Sequence, residues 1–433
     1  MLTSCDEVKI LSDPWYSGDA FHKGWNLLYE NPEKDVDEIL NRTTHIWISH
    51  EHPDHFSVKF FKVFKNQIKE KNIKILFQRT RDKRVVKFFS ANNFPYQELD
   101  FGVPVALSKN VSVICIKDGF YDSGLLIKNR NEKILNLNDC EITSPARATE
   151  VKRIVGDVDV LLTQFSFAAW KGGVDNVRWR RDAASEKLAT MQLQIQTFNP
   201  KFVVPFASFV RFSNERNSYL NDAVNTPNDL IEKFQDDGSF RLCIMKPLDV
   251  LHSDWNAANN KISAKFWEEQ YSKKVELNRY SVIDEDQLEE AFNEYTERIY
   301  HNNNSILMRL LRLLSPIKVF QSTEVFLDDK NKSVSFDYLK RTIVFSQKRR
   351  PDLVMSSESL LFLFKNNFGF DTLTVNGCFE EGGPGGFVKA TKSLAIENLN
   401  NLGIRIRLTT LFNFAIAKLF LTRLYRVARK LED

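Results

Sequence analysis

At 433 residues the chain has room for roughly two or three domains, each with its own core, and a hydrophobic content of 43% marks it as globular rather than disordered. Sixty Lys and Arg against 56 Asp and Glu leave a net charge of only +4, too little to argue for a nucleic-acid partner. Five widely spaced cysteines (Cys5, Cys115, Cys140, Cys243 and Cys378) form no C-x-x-C pair, which excludes a zinc ribbon or dithiol motif and points to a reducing cytoplasm.

Taken in chain order, "MLTSCDEVKILSDPW" has no basic stretch followed by an apolar one, so secretion is not expected. No uncharged apolar run approaches the about 20 residues of a membrane-spanning helix. "VKILSDPW" reads as a strand ending at a Pro turn, "THIWIS" as a buried strand, and "FSVKFFKVFKNQIKEKN" as an amphipathic helix with its lysines outward. "IKILFQ", "VSVICIKDG", "GLLIKN", "KILNLND", "VDVLLTQFS" and "KFVVPFASF" follow as strands, with a helix over "RRDAASEKLATMQLQIQTFN" between the last two. Strands interspersed with helices predict a layered α/β domain over residues 1–260.

Composition then changes, and a helical and hairpin extension is expected over 261–345: a polar helix at "SVIDEDQLEEAFNEYTERIYHNNN" and a hairpin turning at "DDKNKS". Residues 346–433 read as a small α+β domain. "SSESLLFLFKN" is a Ser-capped helix, "FDTLTVNGCFEEGGPGGF" a strand running into a wide turn towards another strand, and "LTTLFNFAIAKLFLTRLYRVARK" a basic amphipathic helix. That last helix either covers its own domain or lies on an anionic membrane surface, the first being favoured. The glycines of "EEGGPGGF" lack the spacing and the following Lys-Ser/Thr of a phosphate loop.

The chemistry concentrates in "HEHPDH", residues 50–55, which follows a strand and leads into a helix. Loops at strand ends project side chains into a common cleft over a rigid sheet. His50 and His52, two apart in an extended turn, can share one ion; Asp54 and His55 can turn to a neighbouring one. Three imidazoles and a carboxylate are more than local helix capping requires.

This H-x-H-x-D-H spacing resembles the metallo-β-lactamase superfamily, which implies an αββα sandwich with two metal positions. The resemblance implies that Asp139, in "LNLNDC", bridges the metals, and that Asp13, in "LSDPW", orients the ligand loop by hydrogen bonds rather than binding metal. Two further superfamily histidines are missing, since "VSVICIKDG" ends in Lys117 and Asp118 and "VVPFASF" offers only Ser208. Asp118 either replaces imidazole as a ligand and acts beside Asp54 in catalysis, or is a solvated turn residue. Carboxylate in place of imidazole hardens a site, favouring iron or manganese over zinc.

"DPWYSGDAFHKGWNLL", "ISHEHPDH", "IKDGFYDSGLLIKNRNEKILNLNDC" and "PFASF" resemble more closely the metallo-β-lactamase-like part of the CMP-N-acetylneuraminate hydroxylase family; "SSESLLFLFKNNFGFDTLTVNGCFE" extends the likeness. The resemblance implies O2-dependent hydroxylation of a sugar N-acyl group with electrons passed through a Rieske centre. No Cys here pairs with a His as C-x-H or C-x-x-H, so a separate electron donor is expected. Gln164, Ser166 and Trp170 either line a substrate pocket or serve the loop and core around them, and Arg211 either pairs with a substrate anion or is an ordinary surface arginine. The reading is a cytoplasmic oxygenase with one or two divalent ions, iron favoured, acting on an amino sugar or similar polar metabolite. The rivals are a metal-dependent hydrolase of an ester, amide or phosphodiester, and a non-catalytic binding subunit.

Overall fold

The computed structural model describes residues 1–407 except 131, 236, 348 and 349; the basic helix expected near the C-terminus lies outside them. Its first half is two sheets packed face to face between two layers of helices. The first sheet runs in the order Leu2–Cys5, Val8–Ser12, His45–Ile48, Lys74–Gln78, Tyr96–Leu99, an antiparallel hairpin followed by parallel neighbours. The period-2 rule sorts its side chains: Ile46 and Ile48 point to the outer helices with Ile75 and Phe77, while Trp47 and Leu76 point inward. Buried on both faces, the strand has no need of polar alternation, which is why "IWI", after the half-buried His45, is a continuous apolar run.

The second sheet has the order Arg241–Leu242, Phe202–Pro205, Val160–Thr163, Glu132–Asn136, Ser123–Asn129, Val111–Lys117, Pro104–Ala106. Its inward residues, Val111, Val113, Cys115, Leu125 and Ile127, meet Trp47 and Leu76 in the inter-sheet core. Ile114, Ile116, Leu126 and Leu135 face outward, onto the helices Pro145–Val155 and Val177–Phe198. Each fully buried aliphatic here contributes about 1.5–3 kcal/mol of transfer free energy. The arrangement is the αββα sandwich of the metallo-β-lactamase fold, with a smaller α+β unit after it.

The expected divisions at 260 and 345 both fall inside packed units. The helix Ala257–Ser272 buries Trp267 against the second sheet's helices. The sheet Thr342–Ser346, Lys332–Asp337, Thr323–Leu327, Leu353–Met355, Phe379–Glu381 runs across 345 over one core that extends from Leu288 to Ile406. Two elements differ from expectation locally. The helix after the metal loop breaks at Phe64 into Val58–Val63 and Lys65–Glu70. Residues Gly369–Asn376, expected as a strand, are a helix that buries Phe370 and Leu373, three apart, and the glycine turn after Phe379–Glu381 leads into the helix Gly386–Leu394, not a strand.

The two halves lock together at "FHKG". Phe21, His22 and Lys23 all have positive φ, a conformation that costs about 1–3 kcal/mol per non-glycine residue, and a Cβ on Gly24 would lie 2.5 Å from that of Asn376. Asn376 Nδ2 donates to the Phe21 carbonyl at 3.0 Å, and Asn217 Nδ2 donates to the carbonyls of Gly24 and Asn376 at 2.9 and 2.7 Å. All five cysteines are free and buried. No helix among the described residues is long and apolar enough to cross a membrane.

Candidate metal centre

Parallel pairing of Val8–Ser12, His45–Ile48 and Lys74–Gln78 brings their C-terminal ends to one rim. There the loop from Ser49 to Ser57 is fastened from several sides. The Ser49 amide donates to Asp13 Oδ1 at 2.8 Å, and its carbonyl accepts from Gln78 Nε2 and, across the sandwich, Ser123 Oγ, both at 2.7 Å. The amides of His55 and Phe56 fold back onto the His52 carbonyl, and Ser57 Oγ caps the next helix by accepting from the Phe60 amide.

Two groups of ligand-type side chains converge on this loop. In the first, His50 Nε2 lies 2.9 Å from His52 Nδ1 and 3.6 Å from Asp122 Oδ1. In the second, His55 Nε2 lies 3.1 Å from Asp54 Oδ2 and 3.2 Å from Asp139 Oδ2. The groups are contiguous: the His50 and His55 rings are 4.2 Å apart, and ligand atoms of His50, His55 and Asp139 fall within 4.8 Å of one another. His55 Nε2 and Asp54 Oδ1 are buried yet make no hydrogen bond, a costly condition for polar atoms. Converging, unsatisfied imidazole and carboxylate atoms are what a shared divalent cation requires, so the residues fit the metal that the fold implies.

Neighbours fix these groups. Asp13 Oδ2 lies 3.2 Å from His55 Nδ1 and accepts from Asn138 Nδ2 at 2.6 Å, while Asn138 Nδ2 also donates to Ser49 Oγ at 2.7 Å. Gln164 Nε2 donates to Asp139 Oδ1 at 2.6 Å, and Gln164 Oε1 accepts from Lys187 Nζ at 3.0 Å. Burial opposes charge on His55, but Asp54, Asp139 and Asp13 outweigh it and hold the imidazole well above its ordinary range. The same contest at His52, against Asp371, Asp54 and Asp122, ends at about 9. His50, buried and facing the other two imidazoles, is pushed well below. Burial and the nearby Asp139 raise Asp122 to about 7.

The remaining expected residues sit elsewhere. Asp118 is buried against Arg147, whose Nε is 3.2 Å from Oδ1, and its turn folds back so that the Asp118 amide donates to the Asp122 carbonyl at 2.9 Å. Asp122, not Asp118, thus faces His50; "KDGFYDSG" offers both acids, and only the turn geometry chooses between them. Ser166 Oγ accepts from the Asn225 amide at 2.9 Å, and Ser208 Oγ accepts from the amides of Phe165 and Ser166 at 3.2 Å, so both hydroxyls brace loops. Trp170 packs on Phe379 and Phe387 in the second core. Arg211 donates to the carbonyls of Gln270, Tyr271 and Lys273, capping the helix Ala257–Ser272 rather than meeting an anion. Asp371, on the helix Gly369–Asn376 where the sequence predicts a strand, comes to 3.5 Å from His52 Nε2.

No family model matches the chain. It is similar to the cytidine monophosphate-N-acetylneuraminic acid hydroxylase of Xenopus laevis, with 29% identity over 254 residues, 53% of this chain and 40% of that protein. The corresponding hydroxylase of Danio rerio is 27% identical over 252 residues, 52% of this chain and 40% of that protein. The match thus spans about two fifths of the length of these curated relatives. Among solved structures, CmlA, a diiron β-hydroxylase from Streptomyces venezuelae, aligns at 15% identity and a TM-score of 0.39 over 56% of this chain and 50% of that one. The metallo-β-lactamase fold protein YhfI from Bacillus subtilis aligns at 10% identity and a TM-score of 0.36 over 57% of this chain and 87% of that one. With its two sheets and flanking helices in the αββα arrangement, the chain resembles in sequence, over about half its length, the CMP-N-acetylneuraminic acid hydroxylases.

Proposed function

We propose that the protein is a metal-dependent oxygenase that hydroxylates a polar metabolite, an amino sugar or its nucleotide conjugate, with iron as the metal. The observation that carries this reading is the donor set: His50, His52 and His55 stand with Asp54, Asp122 and Asp139, so carboxylates match imidazoles in number. Oxygen-rich sites suit iron and manganese better than zinc. The hydroxylase relatives support the same direction.

His50, His52 and Asp122 would hold one ion and Asp54 and His55 the other, with Asp139 beside both. Bound iron supplies the electron-transfer chemistry with O2 that side chains lack. The protein's own part is to keep the pair dry and fixed: His50 and His55 are almost wholly buried, and the Gln164–Lys187 relay holds the outer oxygen of Asp139. Asp54 Oδ1, buried with no hydrogen bond, would be offered to the ion beside His55. Electrons would come from a separate donor protein, and five free cysteines support a reducing, cytoplasmic setting.

The test is metal analysis and Mössbauer spectroscopy of protein purified without oxygen, followed by O2 uptake after chemical reduction. About two irons per chain and stoichiometric O2 consumption are expected. Tightly held zinc with ester or phosphodiester hydrolysis independent of O2 would replace this reading with a hydrolase.

A further inference from the structure

The two ring nitrogens of His52 face opposite ways. Nδ1 lies 2.9 Å from His50 Nε2, on the side where the ligand atoms gather. Nε2, on the far side, is buried and makes no hydrogen bond; Asp371 Oδ2 faces it at 3.5 Å, an ion-pair distance that a small approach would turn into a bond. A neutral imidazole carries one proton, and a metal takes the nitrogen without it. His52 can therefore offer Nδ1 to a cation only while Nε2 keeps its hydrogen, and a carboxylate opposite Nε2 selects that tautomer.

Asp371 is held for this task by other parts of the chain. Asn398 Nδ2 donates to its second oxygen, Oδ1, at 3.3 Å, and the Asn398 carbonyl accepts from the Tyr121 hydroxyl at 3.2 Å. Tyr121 is next to Asp122, so the turn that brings Asp122 to His50 is tied to the segment that fixes Asp371. Phe21 packs edge-on against the His52 ring at 5.6 Å, and its carbonyl is bonded by Asn376, one and a half turns beyond Asp371 on the same helix. An acid aimed at the nitrogen turned away from His50 is placed to orient the ring, not to join the ligands.

We propose that Asp371 is a positioning residue that holds His52 in the tautomer with Nδ1 free for metal, so that the C-terminal unit is part of the metal site and not an appendage. The inference rests on the reading that the His and Asp groups bind metal. It sets a role for a carboxylate more than 300 positions from the ligand it serves.

The experiment compares the full-length protein with Asp371→Asn, Asp371→Leu and Asp371→Glu, using cobalt(II) alone in competition with a chromophoric chelator and thermal unfolding of the metal-free forms. Asn cannot accept on both sides: with its oxygen on Asn398, its amide hydrogens confront His52 Nε2. Asp371→Asn and Asp371→Leu should bind cobalt about 10–100-fold more weakly, with Asp371→Glu recovering part of the loss and with the metal-free forms still unfolding cooperatively, at midpoints lowered by the missing carboxylate opposite His52. In the zinc-loaded parent, nitrogen-15 NMR of labelled histidine should show His52 bound through Nδ1 and protonated at Nε2, a signature a merely structural role would not require. Parent-like cobalt affinity in both Asp371→Asn and Asp371→Leu, or metal on His52 Nε2, overturns the inference while leaving the metal site standing. A parent protein that takes up no cobalt overturns the site itself, and this inference with it.

Discussion

Replacing Asp13 by Asn probes the second group of ligands without touching any of them. Asp13 sits at φ 44°, a left-handed conformation that Asn tolerates well and Ala does not, so the amide is the cleaner substitution. As a carboxylate, Asp13 accepts on Oδ1 from the Ser49 amide at 2.8 Å and on Oδ2 from Asn138 Nδ2 at 2.6 Å, with His55 Nδ1 at 3.2 Å. An Asn that keeps the Ser49 bond turns its NH2 group on both Asn138 Nδ2 and His55 Nδ1. One bond to a charged acceptor, worth about 1.5–3 kcal/mol, is lost at His55, whose ring then has no anion to fix it with Nε2 towards Asp54 and Asp139. An outer-shell loss of this kind lowers metal affinity by about 10–100-fold, or about 1.4–2.8 kcal/mol. Competition titration with cobalt(II), read against urea unfolding of the metal-free protein, separates the effect on the site from that on the fold. Cobalt affinity within a factor of about two of the parent would refute the argument that Asp13 acts on metal through His55.

Metal uptake should release protons. Nearby carboxylates raise His52 to about 9 and hold His55 well above its ordinary range, so each favours its charged form before metal binds and is expected to give up a proton to become a ligand. Calorimetry in buffers of different ionisation enthalpy should count about one histidine proton per ion bound, with Asp122 adding up to one more at the His50 position as the pH falls through about 7, and affinity at the His55 position should rise by about one log unit per pH unit between 6 and 8; no release would contradict the assignment. Asp122→Asn should lower metal content, because Asp122 faces His50, whereas Asp118→Asn should leave metal content intact and cost about 1 kcal/mol or less in urea unfolding, since Arg147 keeps its bonds to Glu150 and the Lys117 carbonyl. Equal effects of the two on metal content would count against this division of roles. Leu373→Ala, at a side chain 1% exposed in the C-terminal core, should cost about 2–5 kcal/mol and, by loosening the helix that carries Asp371, weaken cobalt binding; an unchanged midpoint would place that helix outside the core.

The metal loop was readable in the sequence because its information is local. Histidines at 50, 52 and 55 and the acid at 54 lie within six positions, after an apolar run that reads as a buried strand, and the short β-rich runs that follow read as further strands of a layered α/β domain. The distant members of the site were less accessible for two physical reasons. Asp118 and Asp122 are alternatives within one turn, and which of them meets His50 depends on Arg147, a residue from a helix about thirty positions away, drawing Asp118 aside. Ser166, Ser208 and Arg211 carry groups suited to a ligand, but burial obliges them to satisfy backbone amides and helix-end carbonyls.

By itself the sequence determined a layered α/β domain and the ligand loop, since strand periodicity and ligand spacing are properties of short segments; the sandwich and the place of Asp139 came from the family resemblance. Only the tertiary structure decided that "FDTLTVN" is a helix. Its Thr and Val suit a strand, but burying Phe370 and Leu373, three positions apart, in one core outweighs a propensity difference of about 1 kcal/mol or less. That decision carries Asp371 to His52 and brings the C-terminal unit to the candidate metal centre, a contact between residues 319 positions apart that no local pattern encodes.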